Sequence, residues 1–171
     1  KKLFNLPFDK DGEIAAQGEI DETWLNELLN EDYYKLTPPK STGRELFNDG
    51  YIKAISQTAP KDKYDTIATL TALTAKTIAN SYKDFVLPKT NLDEIVIGGG
   101  GAYNKTMLKL IENYTGISVK THNDFGIDDK FKEAIAFAML GFCTLNNTPN
   151  NLPSCTGAKK SVIMGVVSYT Q

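Results

Sequence analysis

Four consecutive glycines, Gly98-Gly99-Gly100-Gly101, run into Ala102-Tyr103-Asn104 and carry the densest chemical signal in the sequence. Glycine leaves the backbone bare, so a ligand can lie against the chain itself. Free N–H groups at a strand-to-helix junction also favour an anion or the polar edge of a nucleotide. The spacing is not the dinucleotide fingerprint: Gly98-x-Gly100 leads to Tyr103 and Gly99-x-Gly101 leads to Asn104, where a third glycine is required. Nor is it a Walker A loop, because no Lys-Ser or Lys-Thr pair follows. The plain alternative is a tight connection with nothing bound.

Three charged residues invite a functional reading beside that turn. Lys40 and Arg44 flank Ser41-Thr42-Gly43, where Thr42 and Glu45 form a capping-box pattern for a helix using Leu46, Phe47, Tyr51, Ile52 and Ile55. Cations at a helix N-terminus oppose its dipole, so the pair reads either as anion-facing or as two solvated charges. Glu133 is the last charge before a long apolar run. It reads as a first-turn carboxylate favoured by the dipole or as a carboxylate held at a cleft wall. No residue set is assignable as metal ligands: His122 stands alone at a strand end, Cys143 and Cys155 lack ligand spacing, and Asp9-Lys10-Asp11-Gly12 lacks the distal Glu of an EF-hand and reads as a turn.

The elements that must position these residues follow from periodicity. Ile95 to Ile97 reads as a short buried strand, and Asn104 caps a helix with Met107, Leu108, Ile111 and Tyr114 on one face and Gly116 as its stop. Ile117 to Thr121 is a second strand, and strand–helix–strand in this length implies a parallel pair with a right-handed crossover. Upstream, Asp21 caps a helix bearing Trp24, Leu25, Leu28 and Leu29, ended by Tyr33-Tyr34. Asp65 to Val86 is the longest helical pattern. Its threonines are poor helix formers, so packing must hold it, and Ala68, Ala72, Ala75 and Ala79 let it approach a neighbour closely. Asp128 or Asp129 caps a last helix to about Leu145, uniformly apolar and therefore expected to be buried on most sides. Ser161 to Tyr169 reads as a final strand or a buried terminal segment.

With 171 residues and a formal charge of −2, the chain fits one domain, residues 1–171, and gives no electrostatic footprint for nucleic acid. No apolar run reaches membrane-spanning length, and the two cysteines read as reduced cytoplasmic thiols. So few strands do not easily make a self-sufficient sheet, and the first residue is Lys1, which together suggest a piece of something longer.

Several stretches together resemble one family. Pro38-Pro39-Lys40-Ser41-Thr42-Gly43-Arg44-Glu45-Leu46-Phe47, Asp65-Thr66-Ile67-Ala68-Thr69-Leu70-Thr71, Gly98 to Asn104, Glu133-Ala134-Ile135-Ala136-Phe137-Ala138 and Asn151-Leu152-Pro153-Ser154-Cys155-Thr156-Gly157-Ala158 are similar, in order, to the C-terminal half of anhydro-N-acetylmuramic acid kinase. Cys155 stands where that pattern has valine. The resemblance implies an α/β fold: a partial ribonuclease-H-like, actin-like ATPase domain, helix-rich, with a short parallel strand pair around Ile95–Ile97 and Ile117–Thr121. It implies a cytoplasmic, ATP-dependent sugar kinase of cell-wall recycling with ATP and Mg²⁺ as cofactors. The chain is then the nucleotide-binding lobe, its partners being the sugar, ATP, the N-terminal lobe of the same protein and a second copy in a homodimer.

By the same resemblance Gly98, Gly99, Gly100 and Gly101 line the adenosine with Asn104 close by, Lys40 and Arg44 are candidate anion contacts, and Glu133 faces the sugar. The family's first phosphate-binding loop and its Gly-Phe-Asp-Thr-Gly-Pro-Gly-Asn segment, which carries the catalytic Asp, do not occur in these residues, so the piece alone is expected to be inactive. Two other classes stay open, a dinucleotide-binding oxidoreductase domain using an acid such as Asp124 for the ribose, and a non-catalytic partner domain.

Overall fold

Side-chain oxygens that reach the first free N–H groups mark where four of the helices begin. The computed structural model describes residues 3–128 and 130–168, and the chain divides into two compact units, Lys1–Thr121 and His122–Gln171. In the first unit, helices α1 (Glu22–Leu28), α2 (Asp32–Lys35), α3 (Asp49–Ile55) and α4 (Lys63–Ser81) precede strand β1 (Glu94–Ile97), helix α5 (Lys105–Thr115) and strand β2 (Ser118–Thr121). The Asp21 carboxylate accepts from the Trp24 N–H at 2.9 Å. Asp62, three residues before the expected start, accepts from the Tyr64 N–H at 2.6 Å and opens α4. Such caps replace water on donors that the helix itself leaves free.

The parallel pair forms as expected, with Glu94, Ile95, Val96 and Ile97 in register with Ser118, Val119, Lys120 and Thr121. Its one covered face rests on a cluster of Ala75, Ile95 and Ile111, with Ile78, Tyr82, Met107 and Val119 packed around it. A second cluster joins Trp24, Leu25 and Leu28 of α1 to Ala72 and Leu73 of α4. The buried side of α4 is thus its small one: Ala68, Ala72, Ala75 and Ala79 lie inside with Thr66 and Thr69, while Ile67, Leu70 and Ile78 are only half-covered. Thr69 is completely buried and accepts the Asp21 N–H at 2.9 Å, which gives its hydroxyl a partner inside the core. The last turns of the expected helix run on as a wider π-helical stretch, Tyr82–Val86.

Four expectations need correction. The helix after the proline pair starts at Asp49, capped by Asn48, whose Oδ1 accepts from the Gly50 and Tyr51 N–H groups at 2.8 and 3.1 Å. Thr42 and Glu45 therefore make no capping box. Phe47 is held out of the helix by ring contacts with Tyr33, Tyr34 and Tyr51, and the Gly43 carbonyl takes the N–H groups of Leu46 and Phe47 in a turn. Secondly, Tyr33 and Tyr34 do not end α1, because they belong to the separate short helix α2.

The other two corrections concern the second unit, which holds α6 (Lys132–Leu145) and α7 (Pro153–Thr156). Helix α6 is not buried on most sides: Phe137 is 72% exposed, and Ile135, Met139, Phe142 and Leu145 are also open. Asp128 closes the turn before it, accepting from the Lys130 N–H at 2.9 Å, while Phe131 holds the cap position without a side-chain bond. Asp129, the alternative cap, lies outside the described residues. The segment 161–168 forms no strand, and Val166 is 92% exposed. Tyr169 lies outside the described residues.

What holds the tail is a pair of asparagines. Asn150 donates to the Leu140 carbonyl at 2.9 Å and accepts the Met164 N–H at 2.6 Å, and Asn151 accepts the Val162 N–H at 2.7 Å. Leu140, Cys143 and Thr144 are the α6 residues half-covered around this clamp. Side-chain amides satisfy the tail backbone where a neighbouring strand is lacking.

The aromatic group around Phe47 has a pH signature. Burial, first, and then the neighbouring Tyr51, Glu31 and Tyr33 push the Tyr34 phenol well above the usual range, and burial with Glu31 raises Tyr51. Above about pH 10 the unfolded chain releases protons that the folded chain keeps, so stability falls with rising pH. Urea midpoints measured across alkaline pH should drop, and Tyr34→Phe should flatten that drop; an unchanged slope would show that Tyr34 titrates like a free phenol.

Candidate nucleotide-facing turn

The backbone between β1 and α5 takes a course that only glycine tolerates. Gly99 has φ 82° and ψ −167°, a region closed to residues with a Cβ. From there Gly100–Tyr103 winds one 3₁₀ turn, closed by the Ala102 N–H on the Gly99 carbonyl and the Asn104 N–H on the Gly101 carbonyl, each at 3.0 Å. Ala102 tucks inward while Tyr103 stays exposed. Asn104 Oδ1 then accepts the Met107 N–H at 2.9 Å and starts α5, which stops where Gly116 turns left-handed at φ 71°.

The surroundings of the glycines decide whether this turn is a connection or a contact surface. A side chain at Gly99 or Gly100 would meet nothing within 4 Å, and one at Gly101 would meet only the Met107 methyl at 3.0 Å. The turn is therefore a bare ledge of backbone facing open space at the C-terminal end of a parallel strand, where α/β folds receive ligands. Packing does not account for the glycines at 99 and 100, although φ alone demands one at 99.

The structure gathers these glycines and Asn104 into one place and puts the other expected residues elsewhere. Lys40 is not at a helix N-terminus. It donates to the carbonyls of Tyr33 and Tyr34 at 3.3 and 3.0 Å, at the C-terminal end of α2, and lies over the Tyr33 and Phe85 rings. A cation there suits the helix dipole. With Thr77, Ser81, Asp84 and Phe85 it lines a cavity of about 450 Å³. Arg44 is exposed in the turn that precedes α3. Glu133, in the second unit, is exposed in the first turn of α6.

One participant escaped the reading of the sequence. The Asp9–Gly12 turn packs on the start of α5: Thr106 Oγ1 donates to the Gly12 carbonyl at 2.7 Å across 94 positions of sequence. Gly12 is buried with φ 75°. The only local hint was a glycine following two acids, which marks a turn and says nothing of its partner. On the half-exposed strand pair Lys120 and Glu94 form an ion pair at 2.6 Å. Among the described residues no group of three or more His, Cys, Asp or Glu gathers as a metal site, and no helix is long and apolar enough to cross a membrane.

The family model of anhydro-N-acetylmuramic acid kinase matches residues 1–170. The chain belongs to the anhydro-N-acetylmuramic acid kinase family. A protein of that name from Francisella tularensis subsp. novicida (strain U112) is 48% identical over 168 residues, which cover 98% of this chain and 44% of the relative. Namesakes from Caldanaerobacter subterraneus subsp. tengcongensis and Clostridioides difficile (strain 630) are each 45% identical, over 95% and 98% of this chain and 42% and 44% of their own lengths. The chain thus spans less than half the length of the kinases it matches, corresponding to their C-terminal half.

Asn104 should show its structural share separately from any ligand role. Asn104→Ala removes the α5 cap and should cost about 1 kcal/mol, whereas Asn104→Asp keeps an acceptor and should stay within a few tenths of the parent. Urea unfolding of the three proteins measures both; equal stabilities would mean that the cap contributes nothing.

Proposed function

We propose that this chain is the nucleotide-binding half of an ATP-dependent kinase that converts 1,6-anhydro-N-acetylmuramic acid to N-acetylmuramic acid 6-phosphate. The carrying observation is the open glycine ledge in a chain of this kinase family. In this reading the half is an actin-like, ribonuclease-H-type lobe. The ledge Gly98–Gly101 lies against the adenosine of ATP and the first turn of α5 stands beside it. A backbone wall suits a nucleotide because N–H groups fixed in a turn need no reorganisation when charge arrives.

The reaction breaks the bond between the anomeric carbon and the bridging oxygen as water adds to that carbon. The freed oxygen takes the phosphoryl group of ATP and ADP leaves. Glu133 is assigned to the sugar side, orienting the water or the ring oxygens. The general base belongs to the part of the enzyme that the relatives carry beyond this chain. Phosphoryl transfer rests on positioning and charge stabilisation from both walls of a cleft, so this chain alone is expected to show no turnover. The exposed apolar faces of α6 support the same division, since rings such as Phe137 and Phe142 suit contact with the remaining lobe better than with water.

Magnesium is expected to travel with the phosphates of ATP, and no carboxylate of this chain is assigned to it. An anion-facing role for Lys40 and Arg44 rests on charge alone. The contacts of Lys40 support a clamp on α2, and an anion at the Lys40 cavity would compete with two carbonyls. The cell wall as the source of the sugar and the cytoplasm as the place of reaction complete the proposal.

Two substitutions in the full-length enzyme test the two walls separately. Gly100→Val adds a side chain where the fold has open space, so melting temperature should hold while KM for ATP rises by about tenfold or more. An unchanged KM for ATP would remove the nucleotide from the ledge. Glu133→Ala should lower kcat/KM for the sugar by roughly a hundredfold, in the range of lost acid–base or positioning groups. Unaltered kcat and KM would take Glu133 out of the site.

A further inference from the structure

The Asp9–Gly12 turn meets the ledge from a segment remote in sequence, and its contacts fall on the residues that start α5. A Cβ at Gly12 would collide with Asn104 Oδ1 and stand 3.0 Å from the Thr106 Cβ, so glycine is needed there to let the Asn104 carboxamide stay on the Met107 N–H. The Gly12 carbonyl receives the Thr106 hydroxyl at 2.7 Å. Asp9 locks the turn from behind, its carboxylate accepting from the Ile14 and Ala15 N–H groups at 2.8 and 3.1 Å. Asp11, at φ 55°, and Gly12, at φ 75°, are both left-handed, a sharp reversal that aims the Gly12 carbonyl at α5.

We propose that this turn is a positioning clamp for ATP, in which Gly12 and Thr106 fix the first turn of α5 and thereby the height of the glycine ledge against the nucleotide. The inference rests on the nucleotide reading of the ledge. Neither residue touches the ligand in this scheme, as each acts through Asn104 and the helix start. The ledge has no packing of its own at Gly99 and Gly100, so its position is set from its two ends, the end of β1 and the start of α5. The hydroxyl-to-carbonyl bond ties the second end to a turn with its own carboxylate lock. Small displacements there matter because reacting groups tolerate little misplacement.

Steady-state kinetics of the full-length enzyme carrying Thr106→Val, Thr106→Ser or Gly100→Val test the clamp. Thr106→Val keeps shape and loses the donor. It should raise KM for ATP by roughly threefold to tenfold and leave KM for the sugar unchanged, with the melting temperature lowered modestly by the lost hydrogen bond. Thr106→Ser keeps the donor and should restore the parental KM. Gly12→Ala, where it folds, should exceed Thr106→Val, and where it does not fold the threonine pair decides. The clamp is overturned if Thr106→Val leaves KM for ATP unchanged while Gly100→Val raises it. It is also overturned if Ser and Val at 106 weaken ATP equally, or if KM for both substrates shifts together. No response to Gly100→Val is a different failure, because it removes ATP from the ledge itself.

Discussion

A stripe of alanines decides how close the rest of the first unit can come. Ala68, Ala72, Ala75 and Ala79 recur along α4 at intervals of three or four, and all are buried. Side chains that short bring the α4 backbone down onto α5, where the fully buried Ile111 shares a cluster with Ala75 and with Ile95 of β1. Larger residues would hold the helices apart and open a void between them. Through α5 the same contact sets where β1 ends and the next helix begins. The glycine ledge is therefore placed by a packing distance although it has almost no packing itself.

That separation explains which parts of the molecule were readable in advance. Asn104, Gly116 and the parallel register follow from neighbours in sequence: a cap, a left-handed stop and a length too short for any other crossover. Local rules were enough there because no distant group competes. At Thr42–Glu45 a distant group does compete. The Tyr33, Tyr34, Phe47 and Tyr51 rings gather, and their contacts shift the helix start to Asn48. The threonine-rich α4 shows the converse, since Thr69 looks unfavourable by propensity and becomes a core hydrogen-bond partner of Asp21. The Gly12–Asn104 contact was illegible for the plainest reason, that nothing in either segment names the other.

Helix α6 was misjudged for a different physical reason. Its composition is that of a helix wanting cover on all sides, but among the described residues of the second unit it is the asparagine-clamped tail that lies on it. Amphipathicity can tell which face a helix buries, yet a uniformly apolar helix carries no such direction. The family match gives that surface its context: relatives more than twice as long have additional chain with which to cover it.

On the proposed reading, catalysis divides between backbone and side chain along the same line. A ledge of bare backbone has a shape of its own, because φ at Gly99 and the two 3₁₀ bonds hold it. Glu133 has no such independence. An exposed carboxylate on an uncovered helix acts in high dielectric, where its field on a water or a ring oxygen is several times weaker than in a dry cleft. On the proposed reading its chemistry would be switched on by whatever covers α6, while the shape of the nucleotide-facing turn would already be set in this fold. Binding and turnover should therefore be separable properties of the two halves, with the first residing in the ledge and the second appearing only when the cleft is complete.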